Sequence, residues 1–342
     1  MATARARSLE IPDAPNEAFD WFVNQRMTDG LPVIPPTEER VDAVLGGTRR
    51  ERAEEIGLIP PRWASGTVEK LAINAVMAGC LPEYMPVLLA AVEALLDPRY
   101  NVYGTQATTH PGAPMVIVHG PAAKQLQIAS GSGCFGPGYR PNLTIGRAIR
   151  LFLVNVGGSL PTEGTMSTFG WPGRYSFCWA EAEEASPWSP YHADKGFDAN
   201  QSAVTVAHIG GFTDIHDPYS KSAPSLLKSL AYGMTSKSTN IGGGGNPACV
   251  LSPAHARLLA REGVSKTDVR KYLCENARAQ PRRLGMESVE NFERTTIDSE
   301  GLLRIADEEE GIQILVAGGE GPHSAGLFTW GRESLWVTKA VQ

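Results

Sequence analysis

The stretch from Thr67 to Val87, TVEKLAINAVMAGCLPEYMPV, leaves this chain the least freedom. Val68, Leu71, Ala72, Ala75, Val76 and Gly79 recur at the three- and four-residue spacing of one buried helix face. Thr67 is placed to cap the N-terminus, and Glu69 puts a carboxylate in the first turn, where the helix dipole favours it. Ile73 and Met77 make the opposite side apolar as well, so the helix is expected to be covered on most of its surface. Gly79 stops it and a second helix begins at Pro82 or, because Pro86 must lie in the first turn, nearer Met85. Cys80 falls at the break, shielded from water. The carbonyl end of one helix disfavours its thiolate and the amide end of the next favours it.

Around this pair the pattern alternates. Strands are expected at Tyr100 to Thr109, Ala113 to Gly120, Arg174 to Glu181, Gln201 to His208 and Ala248 to Leu251, then in GIQILV and SLWVTKAV near the end. Within Arg174 to Glu181, Tyr175, Phe177 and Trp179 fall on one face and Ser176, Cys178 and Ala180 on the other. Helices are expected from an Asn16 cap to Gly30, from a Thr37 cap to Gly46, over residues 121–128, after a cap at Asn142 or Thr144, from Ser222 to Met234, and after Ser252 and Ser265. The charged run Arg49 to Glu55 reads as a solvated helical face. Several connections are too short for crossover helices, which points to a mixed sheet layered with helices in an α/β or α+β fold. That fold is one large domain or two intimately packed lobes. Residues 1–60 form an N-terminal extension and helix, and residues 61–342 a mixed α/β catalytic domain with an internal division near 190–240.

With 342 residues and 42% hydrophobic content, the chain can bury a substantial core. A formal charge of -6 without any basic run argues against nucleic acid or an anionic membrane as partner. No stretch is apolar enough to cross a bilayer, and the N-terminus lacks a signal-peptide core. A soluble cytoplasmic protein acting on a small molecule is expected, with Trp330 and Trp336 suggesting a homodimer. The five cysteines are far apart and form no CxxC pair, which supports neither a disulfide framework nor a structural zinc site.

Two glycine loops, one with Gly242, Gly243 and Gly244 and one with Gly318 and Gly319 before His323, let backbone amides converge on an anion or a flat cofactor. Neither fits a nucleotide-binding pattern, so no cofactor is named. Cys178, Glu181, Glu183 and His192 form a polar constellation able to supply a nucleophile, a base and an orienting group. The same residues suit zinc or iron, and a plain surface strand edge accounts for them equally. His119 and His208, at strand ends, read as hydrogen-bonded structure. Among the thiols, Cys249 and Cys274 lie in apolar or featureless settings. Cys134 sits in an open glycine loop where it would react readily without a base. Carboxylates beside Cys178 raise its pKa, which leaves Cys80 as the better thiolate and Cys178 as the better metal ligand or acid.

DGLPVIPPTEERV (Asp29 to Val41), TVEKLAINAVMAGCLPEYMPV, GRYSFCWAEAEEASPW (Gly173 to Trp188) and VAGGEGPHSA resemble the bacterial proteins grouped with the UGSC family of selenoproteins and their cysteine counterparts. The likeness covers most of the chain. It implies thiol redox chemistry, since that family is named for a Sec-Gly-Ser-Cys run; this chain has no Cys-Gly-Ser-Cys counterpart. What the resemblance carries over is Cys80, Cys178 and the Gly318-Gly319 loop with His323. The leading expectation is therefore a cysteine-dependent oxidoreductase or lyase, with Cys80 or Cys178 as the thiol, Glu181 or His192 as proton carrier and His323 nearby. The alternatives are a metal-dependent lyase or hydrolase using Glu181, Glu183 and His192, and a non-catalytic ligand-binding subunit.

Overall fold

A computed structural model describes residues 7–235, 245–281 and 297–342. The N-terminal part contains α1 (Pro15–Asn24), α2 (Glu38–Leu45), the hairpin of β1 (Glu55–Ile59) and β2 (Ala64–Thr67), and the helices α3 (Val68–Ala78), α4 (Met85–Leu96) and α5 (Val102–Ala107). Then come β3 (Ala113–His119), α6 (Pro121–Gln125), α7 (Arg140–Asn155), β4 (Cys178–Ala180), α8 (Tyr191–Asp194) and β5 (Ala203–His216). The remainder holds α9 (Ala223–Gly233), β6 (Ala248–Leu251), α10 (Pro253–Arg261), α11 (Lys266–Asn276), β7 (Arg278–Ala279), β8 (Leu303–Arg304), β9 (Gln313–Val316), β10 (His323–Thr329) and β11 (Val337–Ala340).

The main sheet is mixed, as expected, with strand order β4-β3-β5-β10-β6-β9 and β11 beside the first half of β5. β3 pairs parallel with β4, β6 pairs parallel with β9, and the other ladders are antiparallel. The sheet curls until its two edge strands approach each other. The Ala182 amide, just after β4, donates to the carbonyl of Val316 at the end of β9 at 2.8 Å. Side chains alternate accordingly. Met115, Ile117, Trp179, Ala207, Ile209, Ala248, Val250, Leu315 and Leu327 fill the inside of the curl. Val116, Val118, Cys178, Ala180, Val204 and Val206 face outward beneath α3, α4 and α7, and Cys249, Leu251, Ile314 and Val316 face outward beneath α9, α10 and α11.

Helix α3 is as enclosed as its composition requires. Thr67 accepts from the Lys70 amide as N-cap, Gly79 ends the helix at φ +89, and Val68, Leu71, Ala72 and Ala75 are fully buried. The caps at Thr37, Ser252 and Ser265 also form where expected. Other expectations are corrected. Tyr100 to Thr109 is not a strand, because Asn101 accepts from the Gly104 amide and opens α5. Arg49 to Glu55 is a turn rather than a helix; Arg50 pairs with Glu54 and Glu93, and Arg52 with Asp42 and Glu69. Helix α1 begins at Pro15, whose fixed φ suits the first position, and ends at Asn24, short of Gly30. Helix α7 starts at Arg140, and Asn142 caps nothing: its amide group bonds Ala129 N, Ala129 O and Cys134 O, tying down the 129–134 loop. β4 begins at Cys178, after a helical turn over Pro172–Arg174.

Asp29 joins the N-terminal segment to α7. Arg147 grips its carboxylate with Nε and Nη2, both at 2.8 Å. Burial acts to raise the Asp29 pKa, but the bonds and charge of Arg147 outweigh it and hold the group below its ordinary range. A depressed carboxylate stabilises the fold above its unfolded pKa, and that contribution is lost as pH falls below about 4. Asp29→Asn is therefore expected to cost on the order of 2 kcal/mol at neutral pH. The difference from wild type should shrink in urea titrations below that range, and a difference independent of pH would contradict this assignment. Ala75→Asp is expected to yield no soluble folded protein, since an unpaired buried charge costs several kcal/mol against a margin of about 5–15. A soluble variant with unchanged melting temperature would show that α3 is not enclosed.

Candidate metal centre

Two residues continue the inward-facing alternation of β3 and β4 into a polar end. In β3, His119 follows Met115 and Ile117; after β4, Glu181 follows Trp179. The parallel register sets Val118 beside Ala180, so the next residues, His119 and Glu181, meet: His119 Nδ1 lies 3.4 Å from Glu181 Oε2. The chain then turns. Glu183 opens a short helical turn and sends its carboxylate back, with Oε1 at 3.9 Å from His119 Nδ1 and 3.5 Å from His192 Nδ1. His192 comes from α8, and its ring tilts against that of His119 with centroids 5.3 Å apart. One donor atom each from His119, Glu183 and His192 lies within 4.8 Å of the others.

The surroundings fix these groups. The Tyr191 amide donates to Glu181 Oε2 at 2.7 Å and the Gly120 amide to Glu183 Oε1 at 2.8 Å. His119 Nε2 meets Thr205 Oγ1 at 2.9 Å, and that hydroxyl meets Thr338 Oγ1 at 2.9 Å. When Nε2 carries the proton, Nδ1 points its lone pair at the two carboxylates, the tautomer suited to binding a cation. Both histidine side chains are wholly buried, and Glu183 is the partly exposed member.

The cluster is short of partners. Among the described residues, His119 Nδ1, Glu181 Oε1 and both ring nitrogens of His192 are buried without a well-formed hydrogen bond, the Ala199 backbone making only a poor approach to the His192 ring. No lysine or arginine pairs with Glu181 or Glu183 among the described residues. Orphaned buried polar atoms cost about 1–3 kcal/mol each, so four in one place demand a partner. Zinc binds imidazole and carboxylate at about 2.0–2.2 Å, which sets tetrahedral donors roughly 3.3 Å apart. The separations of 3.5 and 3.9 Å to Glu183 are already close to that. Burial and the charge of His119 push the His192 pKa down while Glu183, Glu181 and the Ala199 backbone pull it up; the net shift is downward, toward the neutral, ligating form.

The other expected site residues are dispersed. Cys178 lies on the opposite face of β4, under the helices. Cys80 is buried, with its Sγ donating to the Thr144 carbonyl of α7 at 3.3 Å; α4 starts only at Met85, after a short helical turn. His323 stands at the far end of β5, opposite His216, whereas His119 lies opposite Ala203 at its near end. There His323 holds Asp214 at 3.0 Å and stacks on His216. Gly318 commits its amide to Ser130 O, and a side chain at Gly319 would press on Ser132, so this loop is packed against a neighbour. Gly242, Gly243 and Gly244 lie outside the described residues. Cys134 is not open to solvent as expected: it is buried beneath the Gly318 loop.

No protein-family model matches this chain, and no curated protein sequence does. The chemistry therefore has to come from the side chains.

All five thiols are buried. Burial pushes Cys80 and Cys249 up to about 12 and Cys134 up to about 11, with Cys178 and Cys274 also raised. At about pH 8 the native protein should react with an aromatic disulfide reagent at fewer than one thiol in the time that the unfolded chain titrates all five. Rapid stoichiometric labelling of Cys80 in the native protein, located by mass spectrometry, would show an accessible thiolate instead.

Proposed function

We propose that this chain is a metal-dependent hydrolase or lyase acting on a small molecule, with His119, Glu183 and His192 holding one divalent ion of the zinc or iron type. The observation that carries this reading is the convergence of buried histidine nitrogens without well-formed hydrogen bonds on two carboxylates that pair with no lysine or arginine among the described residues. Two imidazoles and a carboxylate are the donor set that such ions take, and three protein ligands leave a coordination position for water or substrate. The ion would supply Lewis acidity and bring the pKa of a coordinated water toward neutrality. Glu181, held by the Tyr191 amide through one oxygen and free on the other, is positioned as a fourth ligand or as the acceptor of a proton. Thr205 orients His119, and Glu183, at the partly exposed edge, faces the side from which a substrate would arrive. Thiol chemistry at Cys80 or Cys178, with its UGSC-like precedent, is less favoured because both thiols are buried and shifted toward the inert protonated form.

Protein made without an affinity tag should contain about one equivalent of zinc or iron by mass spectrometry. His119→Ala and His192→Ala should lose it. Glu183→Gln, at the rim, should lower metal affinity about 10–100-fold with an unchanged circular dichroism spectrum. Removing the ion with a chelator should lower the melting temperature by several degrees, and adding zinc should restore it. Wild-type protein that carries no metal and gains no thermal stability from zinc, iron or manganese would overturn the proposal.

A further inference from the structure

The opposite end of β3 carries the opposite imbalance. A cleft of about 700 Å³ opens between α7 and the 160–175 loop, and two arginines line it. Arg150, from the middle of α7, donates to Ser159 Oγ at 3.2 Å and to Ser159 O at 3.0 Å. Arg174, after the Pro172–Arg174 turn, donates to Gly112 O at 3.0 Å, Pro111 O at 3.2 Å and Thr165 Oγ1 at 3.2 Å, with His110 O at 3.4 Å. Every one of these acceptors is neutral. The guanidiniums are oriented by dipoles, yet no carboxylate pairs with either among the described residues. Asp29, the one acid lining the cleft among the described residues, is already held bidentately by Arg147.

Two like charges on one partly buried wall repel each other unless an anion lies between them. Burial and the neighbouring Arg174 charge bring Arg150 down to about 10, against a smaller upward pull from Asp29. A further donor lies in the same wall: Trp171 Nε1 is buried with no hydrogen-bond acceptor among the described residues. The rim is apolar and exposed. Phe169 is 92% accessible, and Met166 and Tyr175 are also exposed beside it. β3 is seven residues long, so this cleft lies roughly 20 Å along the strand from His119 and is distinct from the candidate metal centre.

We infer that this cleft is a binding site for a small organic anion, its carboxylate or phosphate head held by Arg150, Arg174 and the Trp171 indole N–H, and its apolar body covered by Phe169, Met166 and Tyr175. Arginine's planar fork pairs with either oxyanion through parallel charge-assisted bonds, and the apolar rim favours an organic anion over an inorganic one.

The test uses the full chain and four probes: benzoate, phenyl phosphate, inorganic phosphate and the uncharged control benzamide. Calorimetric titration should show benzoate or phenyl phosphate binding, with the stronger of the two naming the head group. Binding should weaken at least about tenfold in Arg150→Gln and Arg174→Gln, and benzamide and inorganic phosphate should bind far more weakly. Because Arg174 also braces the 110–112 turn, a readout on the unaltered protein stands beside the variants. Phenylglyoxal modification of Arg150 and Arg174, mapped by mass spectrometry, should be slowed by the binding probe and not by benzamide. The metal-site variant Glu183→Gln should bind the same probe unchanged, which separates this site from the metal reading. If neither organic anion binds, if benzamide binds equally, or if binding survives both arginine substitutions without protection from phenylglyoxal, the inference is wrong.

Discussion

Everything in this fold leans on the register of the curled sheet. β5, 14 residues long, pairs with β3 on one side and with β11 and then β10 on the other, so it fixes which residues of three neighbours face inward. The inward set is apolar along most of its length and closes with polar residues at one end: His119, Glu181, Thr205 and Gln313. A slip of one residue between β3 and β4 would send His119 or Glu181 under the helices and bring a valine or alanine inside. The hydrogen bond between Ala182 and Val316 completes the curl next to this polar end. The candidate metal centre is thus a product of alternation carried to the last residue of β3 and one residue past β4.

Uncompensated charge is the second organising fact. Several ion pairs tie the chain in ordinary ways, such as Arg147 with Asp29, Lys266 with Asp194 and Arg278 with Asp298. Two places differ because groups of one sign gather there without an opposite fixed charge among the described residues. Among the described residues, Glu181 and Glu183 at one end of β3 meet only histidines and backbone amides, and Arg150 and Arg174 at the other end donate only to neutral acceptors. Since leaving a buried charge without a counter-ion costs several kcal/mol, each place is explained most economically by a ligand of opposite sign. A cation and an organic anion at the two proposed sites, about 20 Å apart along one strand, would make the two ends of β3 chemically distinct.

Much of the scaffold was legible because its signals are local. The buried face of α3, the caps at Thr37, Thr67, Ser252 and Ser265, and the apolar run of β3 are each contained in a window of a few residues. β10 was not legible, although it lies centrally in the sheet. Its Ser324 and Gly326 dilute the strand pattern, and Gly326 is needed where a side chain would collide with Met234. Glu181, Glu183 and His192 were readable as a neighbourhood in the sequence. His119 was not grouped with them, because only the parallel pairing of β3 with β4 brings it there, and no short window contains that pairing. Arg150 and Arg174 gave no signal either: their lack of acidic partners is a property of the folded surroundings.

The most direct measurement is X-ray absorption at the K edge of the metal in protein purified without a tag. Two imidazoles and a carboxylate at His119, His192 and Glu183 should give a first shell of nitrogen and oxygen at about 2.0–2.2 Å, with multiple scattering from the imidazole rings and no sulfur. A shell containing sulfur at about 2.3 Å would place a cysteine at the ion and contradict the assignment.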